Sequence, residues 1–141
     1  MTHSQIAVSP DLAPPSGYAH AVISRPGGVL VHLGGQTALD RLGAIAGTTL
    51  PEQFDLAASN LVHAMRSADC EPADLVSLQV FCTDVGRYRD ALPELGRIWR
   101  ARFGRHYPAM GLFGVTRLWD AEALVELMGV CVRPARPDEA A

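Results

Sequence analysis

Two apolar stretches near the end of the chain constrain its fold more than any other feature. The first is Tyr107-Pro108-Ala109-Met110-Gly111-Leu112-Phe113-Gly114-Val115-Thr116-Arg117-Leu118, and the second is Ala123-Leu124-Val125-Glu126-Leu127-Met128-Gly129-Val130. They read as two strands joined by a short connection that carries Trp119, Asp120 and Glu122. Exposure is the expectation for those three connecting side chains.

The N-terminal third reads as three more strands. Residues 3–9 suit a short edge strand, and Pro10, Pro14, Pro15 and Gly17 suit a rigid, irregular connection. From Tyr18 to Arg25, Tyr18, His20, Val22 and Ser24 fall on one side, and Ala19, Ala21 and Ile23 on the other. Pro26-Gly27-Gly28 supplies a turn, and residues 29–33 read as the returning arm of a hairpin. Gly34-Gly35-Gln36 ends that arm. Two glycines there permit close backbone approach or positive φ, as at a bulge or a ligand-lining edge.

Helices interrupt the strands twice. After a polar loop over 40–47, Thr49-Leu50-Pro51-Glu52 has capping-box spacing, with proline in a first turn that does not need its N–H. The helix it opens runs to about residue 68. Phe54, Ala58, Leu61, Met65 and Ala68 form its apolar stripe, and Gln53, Asn60 and Arg66 lie away from it. Residues 75–83 form a strand with Val76, Leu78, Val80 and Cys82 on an apolar face, and Ser77, Gln79, Phe81 and Thr83 on a mixed one. A second helix spans roughly 90–103, with Leu92, Leu95, Ile98, Trp99 and Phe103 inward and Asp90 capping ahead of Pro93. The last strands end at Arg133, and 134–141 reads as a loose tail. The order β-β-β-α-β-α-β-β gives a single α+β domain over 1–141, a mixed sheet with two helices on one face. The mixed face of the 75–83 strand suits a partly polar contact between subunits.

Composition removes several classes of function. All 12 basic residues are arginine, so lysine Schiff-base chemistry is impossible. A net charge of −3 gathers no phosphate backbone, so no nucleic-acid partner is expected. No apolar run reaches the ~20 residues of a membrane span, and the first residues lack the pattern of a signal peptide. Cys70, Cys82 and Cys131 show no CxxC spacing, which suits reduced thiols in a cytoplasmic protein. The histidines share no metal-ligand spacing, so neither metal nor cofactor is expected.

Over residues 17–133 the chain resembles the RidA/YjgF family of small trimeric proteins known for hydrolysing reactive enamines and imines. The resemblance rests on the Pro108-Ala109 stretch and the final strand, with Gly35-Gln36, Glu52-Gln53, Asn60-Leu61, Val80-Phe81 and Thr83-Asp84 in order before them. It implies the trimer, with two further copies covering the open sheet face, and a small-molecule metabolite bound in each inter-subunit cleft. Deaminating members carry an arginine after the Pro-Ala pair and a glutamate in the last strand. Those positions read here as Met110 and Met128, while the family's pocket cysteine reads as Leu112 and its helical asparagine as Gly96.

Losing the charge-assisted contact forfeits ~1.5–3 kcal/mol, and losing the acid/base removes ~10²–10⁴ in rate. Efficient 2-imino-acid deamination is therefore not expected. Paired methionines describe an apolar pocket for small, relatively apolar imine, enamine or carbonyl compounds, or they fill space where nothing binds. Tyr18, Gly34, Gly35, Gln36, Met110, Leu112 and Met128 are the candidate ligand-binding residues. Through the resemblance, Tyr18 closes the pocket from a neighbouring subunit. His32 is a candidate general base or a hydrogen-bonded strand histidine. Glu126 is a candidate acid, on the same strand face as Met128, or a partner for Arg117. The chain reads as a hydrolase or tautomerase-like enzyme or, alternatively, as a non-catalytic trimeric module that binds a metabolite or stabilises a partner.

Overall fold

Helix α1 (Leu50–Ser67) begins where the capping box predicts, in a computed structural model that describes residues 3–139. Glu52 N–H donates to Thr49 Oγ1 at 3.3 Å, and Thr48 and Thr49 N–H donate back to the Glu52 carboxylate. Those backbone donors hold the Glu52 pKa below its ordinary value. The predicted stripe is inward: Phe54, Ala58, Leu61 and Met65 are buried.

Their counterpart is a four-stranded sheet in the order β3 (Gly28–His32), β6 (Val125–Pro134), β4 (Leu75–Cys82), β5 (Ala109–Gly114). The first two pairings are antiparallel, and β4 with β5 is parallel. A parallel pair needs a crossover, here supplied by α2 (Val85–Asp90) and α3 (Leu92–Phe103). Leu78 and Val80 of β4, with Val125, Leu127 and Cys131 of β6, meet α1 and α3 in one core. This is the expected mixed sheet in an α+β fold, with three helices instead of two.

Several details differ from the sequence reading. The turn at Gly27 forms, with φ +85°, but its two arms do not pair. β2 (Ala21–Ser24) pairs with β1 (Ser4–Ala7), and Arg25 N–H donates to His3 O at 2.8 Å, while β3 pairs with β6. Each arm has found another partner, so no hairpin exists. A register shift between Leu75 and Ser77 brings Leu75, not Val76, into the core cluster. The second helical region starts earlier, because Asp84 Oδ1 accepts from Arg87 N–H at 3.0 Å and opens α2. Asp90 ends α2 and caps nothing ahead of Pro93.

Gln53 and Asn60, both off the apolar stripe, bind backbone far away in the chain. Gln53 is buried, and its amide binds Gly47 O, Glu122 O and Leu124 N–H at 2.8–3.1 Å. Asn60 donates to Thr37 O and Leu39 O, both at 2.9 Å. Buried amides must be satisfied, and these two tie the loops before α1 and before β6 to the helix. The expected loose tail is fastened as far as Glu139, whose carboxylate makes a bidentate pair with Arg133 at 2.7 and 2.8 Å. Ala140 and Ala141 lie outside the described residues.

Opposite the helices, the sheet presents Ser77, Gln79 and Phe81 of β4 beside Glu126, Met128 and Val130 of β6. Phe113 of β5 stacks on Phe81 with ring centroids 5.6 Å apart. Leu30, Phe113 and Met128 are exposed there.

Candidate functional site

Met110 stands on β5 opposite Leu78, so its side chain leaves the sheet on the helix side and packs against the core. The chain before β2 runs beside it, with Ala19 N–H donating to Pro108 O at 2.9 Å. Met110 therefore lines two cavities. One, of about 480 Å³, lies among Leu12, Ala13, Tyr18, His20 and Ala109. The other, of about 350 Å³, lies among Phe54, Tyr88, Gly96, Trp99 and Tyr107. Neither is lined by an arginine, aspartate or glutamate. Tyr18 and Met110 of one chain thus line the same cavity. Leu112, opposite Val80, is exposed two residues further along the same side.

His32, Glu126, Met128 and the Gly34–Gly35 link lie on the opposite face, while Gln36 pairs with core-facing Leu127 and so falls on the helix side. Leu33 N–H donates to Gly129 O, and Gln36 exchanges both backbone bonds with Leu127, so Gly34 and Gly35 bulge across from Met128. Gln36 Nε2 donates to Gly34 O at 3.3 Å. A side chain at position 35 would run into the Glu126 carboxylate, whose Cδ lies 2.9 Å from where its Cβ would stand. The obstacle is the far end of a flexible side chain, so a Cβ there displaces the Glu126 carboxylate. Glu126 lies opposite Phe81, half-buried, and Arg117 does not pair with it. Arg117 donates instead to Leu118 O and Trp119 O, both at 3.1 Å. Trp119 is exposed on the connection, as expected.

The structure does not bring the two candidate catalytic groups together. His32 lies opposite Val130, four residues along β6 from Glu126, a separation of about 13 Å. Its exposed ring is not hydrogen-bonded among the described residues, unlike His20, which accepts from Ser9 N–H and donates to Ala13 O. Met110 and Met128 are also apart. Their partners Leu78 and Gln79 are adjacent on β4 and point to opposite faces, so one subunit does not place both methionines in one pocket.

Sequence reasoning missed the second cavity's aromatic wall. Tyr88 belongs to α2, which a glycine after the capping Asp84 obscured; the aspartate was the available signal. Burial pushes the Tyr88 phenol up to about 12. Burial likewise raises the Cys70, Cys82 and Cys131 thiols, so none is a thiolate nucleophile near neutral pH. Among the described residues, no three His, Cys, Asp or Glu side chains cluster to hold a metal, and no helix is long and apolar enough to cross a membrane.

A family model described as endoribonuclease L-PSP matches residues 9–132. The chain belongs to this family, the YjgF/RidA or Rid family. Among solved Rid structures, YyfB from Yersinia pestis, described as of unknown function, is 26% identical and superposes with a TM-score of 0.81, covering 94% of this chain and 100% of its own. A YjgF-family protein from Mycobacterium tuberculosis is 27% identical with a TM-score of 0.61, covering 83% and 87%. YyfA from Yersinia pestis, at 18% identity and a TM-score of 0.63, shares the fold, covering 91% and 98%. No curated protein matches the chain in sequence.

Proposed function

We propose that this Rid protein binds small, relatively apolar imine, enamine or carbonyl metabolites in clefts between the subunits of a cytoplasmic homotrimer, and that it deaminates 2-imino acids inefficiently. The observation that carries this reading is the uncharged surrounding of Met110: two cavities meet there with no arginine on either wall. A carboxylate entering them would be desolvated without an ionic partner. The Gly34–Gly35 bulge and Glu126 occupy the opposite sheet face, which supports a cleft assembled from two chains, with Met110, Leu112 and Tyr18 from one and Gly34, Gly35, Glu126 and Met128 from the next. In such a cleft Glu126 is the available acid or base. Catalysis there is hydrolysis or tautomerisation of an uncharged substrate.

The separation of His32 from Glu126 favours a second reading, in which the trimer binds a metabolite or stabilises a partner without turnover. Met110→Arg tests the main one. It restores an anion partner, and affinity for carboxylates should rise by about one to two decades. Unchanged carboxylate affinity in a folded variant would remove Met110 from the ligand site.

A further inference from the structure

We propose that the cavity between α3 and β5 takes uncharged, planar aromatic or conjugated molecules bearing a carbonyl or imine acceptor, with the Tyr88 hydroxyl as their hydrogen-bond donor. This names the ligand class for the site read above and rests on that reading for the acceptor group. At about 350 Å³ the cavity has the size of a small-molecule site. Its lining includes no charged side chain of either sign and no histidine. An anion would lose water there with no cation in the lining itself, the Arg100 guanidinium standing beside Gly96, 3.7 Å from where its Cβ would be.

The aromatic walls are fixed. Tyr107 stacks on Trp99 with centroids 5.5 Å apart and planes within 6°. The single donor of the indole is already used, since Trp99 Nε1–H donates to His106 O at 3.1 Å. Tyr88 meets Phe54 edge-on, with centroids 6.2 Å apart and planes at 70°. Rigid rings hold a planar ligand with little loss of side-chain freedom.

Ser16, Tyr88 and Tyr107 bring hydroxyls to this lining, and Tyr88 is the candidate donor. Its hydroxyl makes no hydrogen bond with any described residue, yet it is not sealed from open space. Burial keeps it protonated far above neutral pH, with a pKa of about 12. A phenol in this state donates to a neutral carbonyl oxygen or imine nitrogen. Gly96 lines the same cavity, and an added Cβ there would meet only Arg100 Nη1, at 3.7 Å. A larger side chain can therefore be installed there without backbone strain.

The chain has two tryptophans, so Trp119→Phe, at an exposed loop position, leaves Trp99 in the cavity wall as the sole indole reporter. In that background, acetophenone should quench Trp99 fluorescence saturably. Benzoate should need at least about 10-fold higher concentration, and cyclohexyl methyl ketone, which is not planar, should also bind more weakly. Tyr88→Phe should weaken acetophenone by about 2- to 12-fold, the worth of one hydrogen bond. Gly96→Leu should abolish saturation while the protein stays folded by circular dichroism. A linear, non-saturating response, equal potency of benzoate, or wild-type titrations by both Tyr88→Phe and Gly96→Leu would overturn the assignment. The titration reads occupancy, not turnover. A negative result alongside poor 2-iminobutyrate hydrolysis rejects the cavity and leaves the broader reading, whereas efficient 2-iminobutyrate hydrolysis rejects that reading itself.

Discussion

Met110 pairs with Leu78 and Met128 with Gln79, so the two methionines leave the same sheet from opposite faces. Any cleft that uses both draws them from different copies of the chain. The face carrying Met128 also exposes Leu30 and Phe113 and stacks Phe113 on Phe81. Native mass spectrometry should find the wild type trimeric and Phe113→Asp dissociated, because a carboxylate buried there would lack a partner. A monomeric wild type would contradict the shared cleft.

Gly35 gives a local test of the bulge. Gly35→Ala drives a methyl into the Glu126 carboxylate, which its flexible side chain can carry aside, so the loss of stability should stay below about 1 kcal/mol. Glu126→Ala should recover that loss, with a coupling of about 0.5 kcal/mol in a double-mutant cycle. Urea denaturation of the four proteins measures it. Additive losses would separate the two residues.

The tail fastening carries a pH signature. Hydrogen bonds from Arg133, then from the Arg136 N–H, lower the Glu139 pKa from 4.5 to about 2. A carboxylate depressed by folding contributes stability that is complete above its unfolded pKa and disappears as pH falls through the folded one. Thermal melts of wild type should therefore lose stability between about pH 4.5 and pH 2. Glu139→Gln should be less stable at neutral pH and flatter across that window. A parallel decline in both proteins would place the acid sensitivity elsewhere.

Much of the fold was legible because its signals are local. The capping box at Thr49 and Glu52, the stripe of Phe54, Ala58, Leu61 and Met65, and the alternation of Leu78, Val80 and Cys82 each act within one element. Strand partners were not legible. A Pro-Gly-Gly turn specifies reversal, but whether β2 bonds to β3 or to β1 depends on chain far from the turn. The same limit applies to the site. Alternation put Glu126 and Met128 together correctly, since one strand relates them. It could not relate Met110 to Met128, because the phase between strands is set by their pairing with β4. Gln53 and Asn60 read only as lying off the apolar stripe, because their polarity was visible and their distant backbone partners were not.

The proposed function puts an uncharged cavity where arginine-bearing relatives would hold a carboxylate. The most direct measurement compares this protein with an arginine-bearing Rid relative on 2-iminobutyrate and on the uncharged imine of butanone, under identical conditions. The account predicts 2-iminobutyrate hydrolysis at least about 10-fold slower than the relative's, with the ratio between the two substrates shifted toward the uncharged imine. Turnover of 2-iminobutyrate equal to the relative's, with no shift in that ratio, would contradict it.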